Sequence, residues 1–236
     1  MLGKVSGNSH LVKRYITRKK MKLDLQKLES ATLDYLEQWR GYDERFNDYI
    51  SDPTKPLNIR TKVLLQCLNY YSVSRNVQPK LTELMNYDFE GCGKAYNPEK
   101  HKQMLLVLDD FEVGSCWVDN VTRLEKEFHE RLDNRVRLLS LSSKVLWQKI
   151  AGNSLVFDND ARRALKTPQD DIASFFDAWE SVFTSNFDCI SKIVGATLRK
   201  SEAPILYFSI EQYECEWFYR RVLDVYLVKL GRSLKK

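Results

Sequence analysis

The spacing of apolar residues constrains this chain more than any other feature. From Ile172 onward, Phe175, Phe176, Trp179, Val182 and Phe183 recur every three or four positions, the interval that places side chains on one face of an α-helix. An earlier stripe of Leu25, Leu28, Tyr35, Leu36 and Trp39 predicts a helix ended near Gly41, with further aromatics to Tyr49. Asp52-Pro53 and Lys55-Pro56 mark a turn, and residues 57–73, with Val63, Leu64, Leu65, Leu68 and Tyr71, predict a second buried helix. Pro79 opens a short third one. Residues 91–100 read as a loop closed by an Asn97 cap with Pro98 at the first helical position. Residues 99–111 and 117–133 follow as helices. Thr167-Pro168 with Asp170 and Asp171 is another start signal, acids at the positive end of the helix dipole. Ser209 is expected to cap a final helix ending at Gly231. Only Pro204-Ile205-Leu206-Tyr207-Phe208 suggests a strand, and no internal repeat is visible. The class expected is all-α, with Phe175, Phe176, Trp179, Trp217 and Phe218 as core rather than as a stacking platform.

With 236 residues the chain can form one large domain or two small lobes around a real core. No run of about 18 apolar residues occurs, so no membrane span is expected, and the opening MLGKVSGNSHLVKRY lacks the apolar centre of a secretory signal. Five dispersed cysteines (Cys67, Cys92, Cys116, Cys189, Cys215) read as reduced thiols of a cytoplasmic protein. His10, His101 and His129 lie far apart, so neither a metal site nor a cofactor is expected, and no obligate protein partner is indicated.

The formal charge of +5 is unevenly placed. Residues 1–22 form a basic arm with Lys4, Lys13, Arg14, Arg18, Lys19, Lys20 and Lys22 and no acid. It is either a solvated tail or a phosphate-binding arm, leaving 23–236 as the helical domain. Residues 135–166 carry seven bases against Asp158 and Asp160, interleaved with apolar residues and therefore part of folded structure. Clustered cations favour a polyanion, most simply a nucleic-acid backbone.

Within that second cluster, SLSSKVLWQKIAGNSLVFDNDARRAL places Lys144 on a serine-rich turn, with Asp158 after an apolar Leu155-Val156-Phe157 run. The spacing lets Lys144 open one helix and Asp158 open or cap the next, both facing a common cleft. Taken alone, Asp158 is equally well an N-cap and Lys144 a surface lysine. Asp160 is the fallback carboxylate.

Ser143-Lys144-Val145-Leu146-Trp147, followed by Asp158-Asn159-Asp160-Ala161-Arg162-Arg163, resembles a pattern of bacterial proteins with the 8-oxoguanine-glycosylase fold, within the helix-hairpin-helix DNA glycosylase superfamily. Leu223-Asp224-Val225-Tyr226-Leu227-Val228-Lys229-Leu230-Gly231 resembles the ending of those proteins. The resemblance implies a two-lobed helical bundle with a helix-hairpin-helix-like element and a central cleft for DNA and an extruded base. It implies Lys144 and Asp158 as catalytic residues. Backbone contacts would come from Ser140, Ser142, Ser143, Lys149, Asn159, Arg162 and Arg163, with Lys13, Arg14, Lys19 and Lys20 of the arm. The partner implied is double-stranded DNA carrying a modified or damaged base, in repair or in defence against phages with modified DNA. Ser140 and Ser142 stand where the hairpin usually has glycines, Trp147 where the pattern more often has histidine, and Phe157 where it has tyrosine. Two further readings remain open at this level. One is a non-catalytic DNA-binding module of the same fold. The other is a ribonuclease of the HEPN class, whose Arg-x(4–6)-His spacing is met by Arg123 and His129.

Overall fold

The structure, a computed structural model, describes residues 21–74, 77, 98–133, 136–150, 155–169, 171–201 and 213–235. Lys13, Arg14, Lys19 and Lys20 of the basic arm lie outside these residues. So do the helix expected after Pro79, the Asn97 cap, Asp170, the 204–208 strand candidate and Ser209. Every regular element among the described residues is helical. No helix among them is long and apolar enough to cross a membrane.

Helix α1 (Leu25–Gln38) starts at Asp24, whose side chain accepts the Lys27 N–H at 3.2 Å, and buries Leu28, Ala31, Tyr35 and Leu36. It does not end near Gly41. A π-helical turn, Trp39–Asp43, carries it directly into α2 (Glu44–Ile50). The inserted residue rotates the following face, and Asp43 becomes fully buried. Helix α3 (Leu57–Tyr70) closes with a Schellman pair: the Val73 N–H bonds Leu68 O at 2.9 Å and the Ser72 N–H bonds Asn69 O at 3.0 Å. Ser72 takes the left-handed φ of 56° that glycine more often supplies there. The fully buried Arg60 of α3 makes a two-pronged ion pair, 2.6 and 2.8 Å, with Asp109 of α4 (Pro98–Asp110).

Helix α5 (Trp117–Leu132) turns at the left-handed Asp133 into α6 (Leu139–Lys149). Lys144 therefore sits inside α6 rather than at its start, and Ser140 and Ser142 lie in the first turn of that helix. Helix α7 (Asn159–Leu165) opens on Asp158, as expected. The long α8 (Ile172–Lys200) opens on Asp171, whose carboxylate accepts the Ser174 N–H at 2.8 Å. The last described helix, α9 (Glu216–Ser233), runs through Gly231.

Two sets of helices pack among themselves: α1, α7, α8 and α9 form one, and α2 through α6 the other. The continuous α1–α2 rod and an α5–α8 contact join them, and one hydrophobic cluster draws on all nine helices of the described residues. Phe175, Trp179 and Phe218 are fully buried in it, with Phe176 and Trp217 packed at its edge.

Candidate functional site

A cleft of about 990 Å³ opens where the two sets of helices meet. Lys144 and Asp158, 14 residues apart in the chain, both line it and meet there, with Lys144 Nζ 3.3 Å from Asp158 Oδ2. Local chemistry explains each placement. Asp158 uses Oδ1 to accept the Asp160 N–H at 2.8 Å, capping α7, which leaves Oδ2 free for the cleft. Ser143 brings the two segments together, its Oγ accepting the Phe157 N–H at 3.0 Å. The side chain of Lys144 is 6% exposed and that of Asp158 24% exposed. The second acceptor of Lys144 is the Tyr71 carbonyl at 3.4 Å, and its ammonium lies 5.6 Å from the centre of the Tyr71 ring. That carbonyl is at the end of α3, where the helix dipole favours a cation. Burial lowers the Lys144 pKa, Asp158 opposes the shift, and the Arg221 guanidinium adds to it.

The remaining residues singled out in the sequence divide sharply. Ser140, Asn159 and Arg163 line the cleft. Ser142 and Ser143 have no exposed surface, so their expected role on a phosphate gives way to an internal one. Lys149 reaches across to the end of α4 and donates to the carbonyls of Leu108 and, at 2.8 Å, Phe111. It caps a helix instead of facing a backbone. Arg162 is turned back on its own segment, bonding Thr167 O at 2.8 Å. Asp160 is held by Arg163, Arg232 and Lys235 at 2.6, 3.2 and 2.8 Å. Burial alone would raise its carboxyl, but Lys235, Arg232 and Arg163 hold it below the usual aspartate range. It is saturated by cations and unsuited to serve as the fallback. Arg123 donates to Glu112 O and Asn120 Oδ1, while the His129 ring bonds Val136 O at 2.9 Å. The two are tied to different loops, and neither lines the cleft.

Sequence reasoning missed the floor of the cleft. Arg221 donates to Asp224 Oδ2 at 2.6 Å and to the Tyr71 hydroxyl at 3.3 Å. The Tyr71 hydroxyl donates to Asp43 at 2.7 Å, and Trp179 Nε1 donates to Asp224 Oδ1 at 2.7 Å. The guanidinium lies 4.9 Å from the ring of Trp147, the residue standing where histidine was the more usual expectation. Burial pushes the Asp224 carboxyl up to about 6, Arg221 opposes this, and Asp158 adds a smaller push upward. Burial raises Asp43 as well. A signal did exist: Arg221 and Asp224 interrupt the apolar face of α9 at a spacing of three, where only core residues would be expected. Asp43 and Tyr71 carry no comparable mark.

The arrangement brings the partly exposed Asp158 carboxylate, the desolvated Lys144 amine and the rings of Tyr42, Tyr70 and Tyr71 into one cavity. No protein-family model, curated protein or solved structure matches this chain.

Proposed function

We propose that the cleft is the base-excision site of a DNA glycosylase acting on a modified or damaged base extruded from duplex DNA, in a protein of the helix-hairpin-helix glycosylase type. The observation that carries this reading is the Lys144–Asp158 pair in a cavity of about 990 Å³, within the size range of small-ligand sites. Extruding the base costs roughly a few kcal/mol, offset by cationic and aromatic contacts. As the C1′–N bond breaks, its electron pair leaves on the base, which takes a proton from solvent. The Asp158 carboxylate faces the positive charge that develops at C1′. Water then attacks C1′ and gives its proton to that carboxylate. The lowered pKa of Lys144 supports a second route. In it the neutral amine bonds to C1′ as the C1′–N bond breaks and the base leaves with its electron pair. The amine then loses a proton, and the sugar ring opens at C1′–O4′, O4′ taking up a proton, to leave an imine.

Asp158→Ala is expected to abolish base release from a panel of base-modified duplexes, glycosylated cytosines included, while DNA affinity changes little. Base release that survives the substitution removes Asp158 from the mechanism. Borohydride trapping of a covalent complex, lost in Lys144→Ala, marks the imine route. One observation favours a second reading, a DNA-binding module without chemistry: each member of the pair satisfies the other, as a purely structural tie between α6 and the start of α7 would. For that protein the whole panel stays intact while the duplex is still bound.

A further inference from the structure

We propose that Lys229, Arg232 and Lys235, together with Arg163, form a phosphodiester-binding rim that holds a nucleic-acid backbone in register with Asp158. The inference rests on the reading above, because it takes the occupant of the cleft to be a polynucleotide.

The need for such a rim follows from burial. Ser142 and Ser143 are enclosed, and Lys149 caps a neighbouring helix, so a polyanion at this cleft must be held by other groups. Positions 229, 232 and 235 follow one another at intervals of three along the last turns of α9 and the turn after it. That spacing puts them on one side of the helix, and all three line the cleft.

Their charge is directed outward. Asp160 draws in Arg163, Arg232 and Lys235, one carboxylate beneath three cations. Its side chain is only 12% exposed, whereas Arg232 and Lys235 are 68% and 52% exposed. Arg232 contacts the carboxylate through Nε, which leaves the terminal N–H groups of its guanidinium fork directed away from that bond and suited to a phosphate. Lys229 is joined to Asp34 of α1 at the same edge. Asp160 thus sets where three cations stand without cancelling them, while Asp34 balances Lys229 one to one.

The register comes from Gly231. A Cβ at this position would overlap the backbone of Asp160, so α9 rests directly on the first turn of α7, two residues beyond Asp158. The cations and the candidate catalytic carboxylate therefore belong to one packed unit. A phosphate seated on Arg232 and Lys235 holds the adjoining sugar at the Asp158 side of the cleft.

The test is the salt dependence of binding to a short, unmodified, fluorescently labelled duplex, measured by anisotropy with the full chain. Arg232→Gln with Lys235→Gln removes two exposed cations and no buried contact apart from Asp160, and circular dichroism checks that the helices are retained. The slope of log affinity against log salt is expected to fall by about 2. Lys126→Gln, on α5 away from the cleft with a side chain 78% exposed, leaves the slope as it was. An unchanged slope in the double variant overturns the rim, as does wild-type protein that binds the duplex without salt dependence or not at all. Base release combined with an unchanged slope rejects the rim and keeps the glycosylase. A reduced slope with no base release from any duplex keeps the rim and rejects the glycosylase.

Discussion

Burial at Lys144 favours the neutral amine, while the Asp158 carboxylate 3.3 Å away favours the ammonium. Removing the carboxylate leaves burial unopposed by its nearest anion, so Asp158→Asn is expected to lower the Lys144 pKa further. Reductive methylation followed by peptide mass spectrometry across a pH series reads this directly: the midpoint for Lys144 should move down while exposed lysines keep theirs. A midpoint indifferent to the substitution means the pair does not form in solution. The resemblance singled out Lys144 and Asp158; the N-cap at Asp158 was legible from residue type and position alone, because a cap is a bond between a side chain and its own next turn. Ser143 was misread for the opposite reason. Whether a serine hydroxyl faces a phosphate or the Phe157 N–H depends on packing that no local pattern encodes.

Among the helices, the contact between α7 and α9 matters most to the site, and Gly231 permits it. The residue looked like a helix terminator, yet α9 continues past it, and its lack of a side chain serves close approach. Gly231→Ala is expected to destabilise the fold by about 3 kcal/mol, the upper range for overpacking, despite the intrinsic helix preference of alanine over glycine. Urea unfolding reads the change, and an alanine variant as stable as the wild type would show that α9 stands clear of α7. Gly41 teaches a related lesson. It reads as a breaker, but the π-helical turn around it lets the chain carry on from α1 to α2 and turns Asp43 inward. Breakers report a local cost only; tertiary contacts decide whether that cost is met.

In the molecule as a whole, the buried network of Asp43, Tyr71, Arg221 and Asp224 ties the two sets of helices together beneath the cleft. Two acids face one guanidinium, and both acids are raised by burial. For Asp224, raised in the folded protein to about 6 from an unfolded value near 4, the linkage has a definite sign. Its stabilising contribution is complete below the unfolded value and is lost as pH rises through the folded one. The stability of the wild type relative to Asp224→Asn should therefore decline by roughly 2 kcal/mol between pH 4 and pH 7. Denaturant unfolding at several pH values measures it, and a difference that stays flat or climbs with pH would contradict the burial of this carboxyl.

The helical class, most helix starts and the placing of Lys144 and Asp158 on one cleft could be read from residue order, since they depend on neighbours three or four positions away or on one short segment. The cleft floor could not. Asp43, Tyr71 and Arg221 come from α2's approach, the end of α3 and the middle of α9, and nothing short of folding brings them within hydrogen-bonding reach. The same holds for which cations remain in contact with solvent. Solvent exposure belongs to the packed assembly of helices, so Lys149 and Arg232, alike in charge, end with opposite fates: one spent on a neighbouring helix end, the other held out at the rim of the cleft.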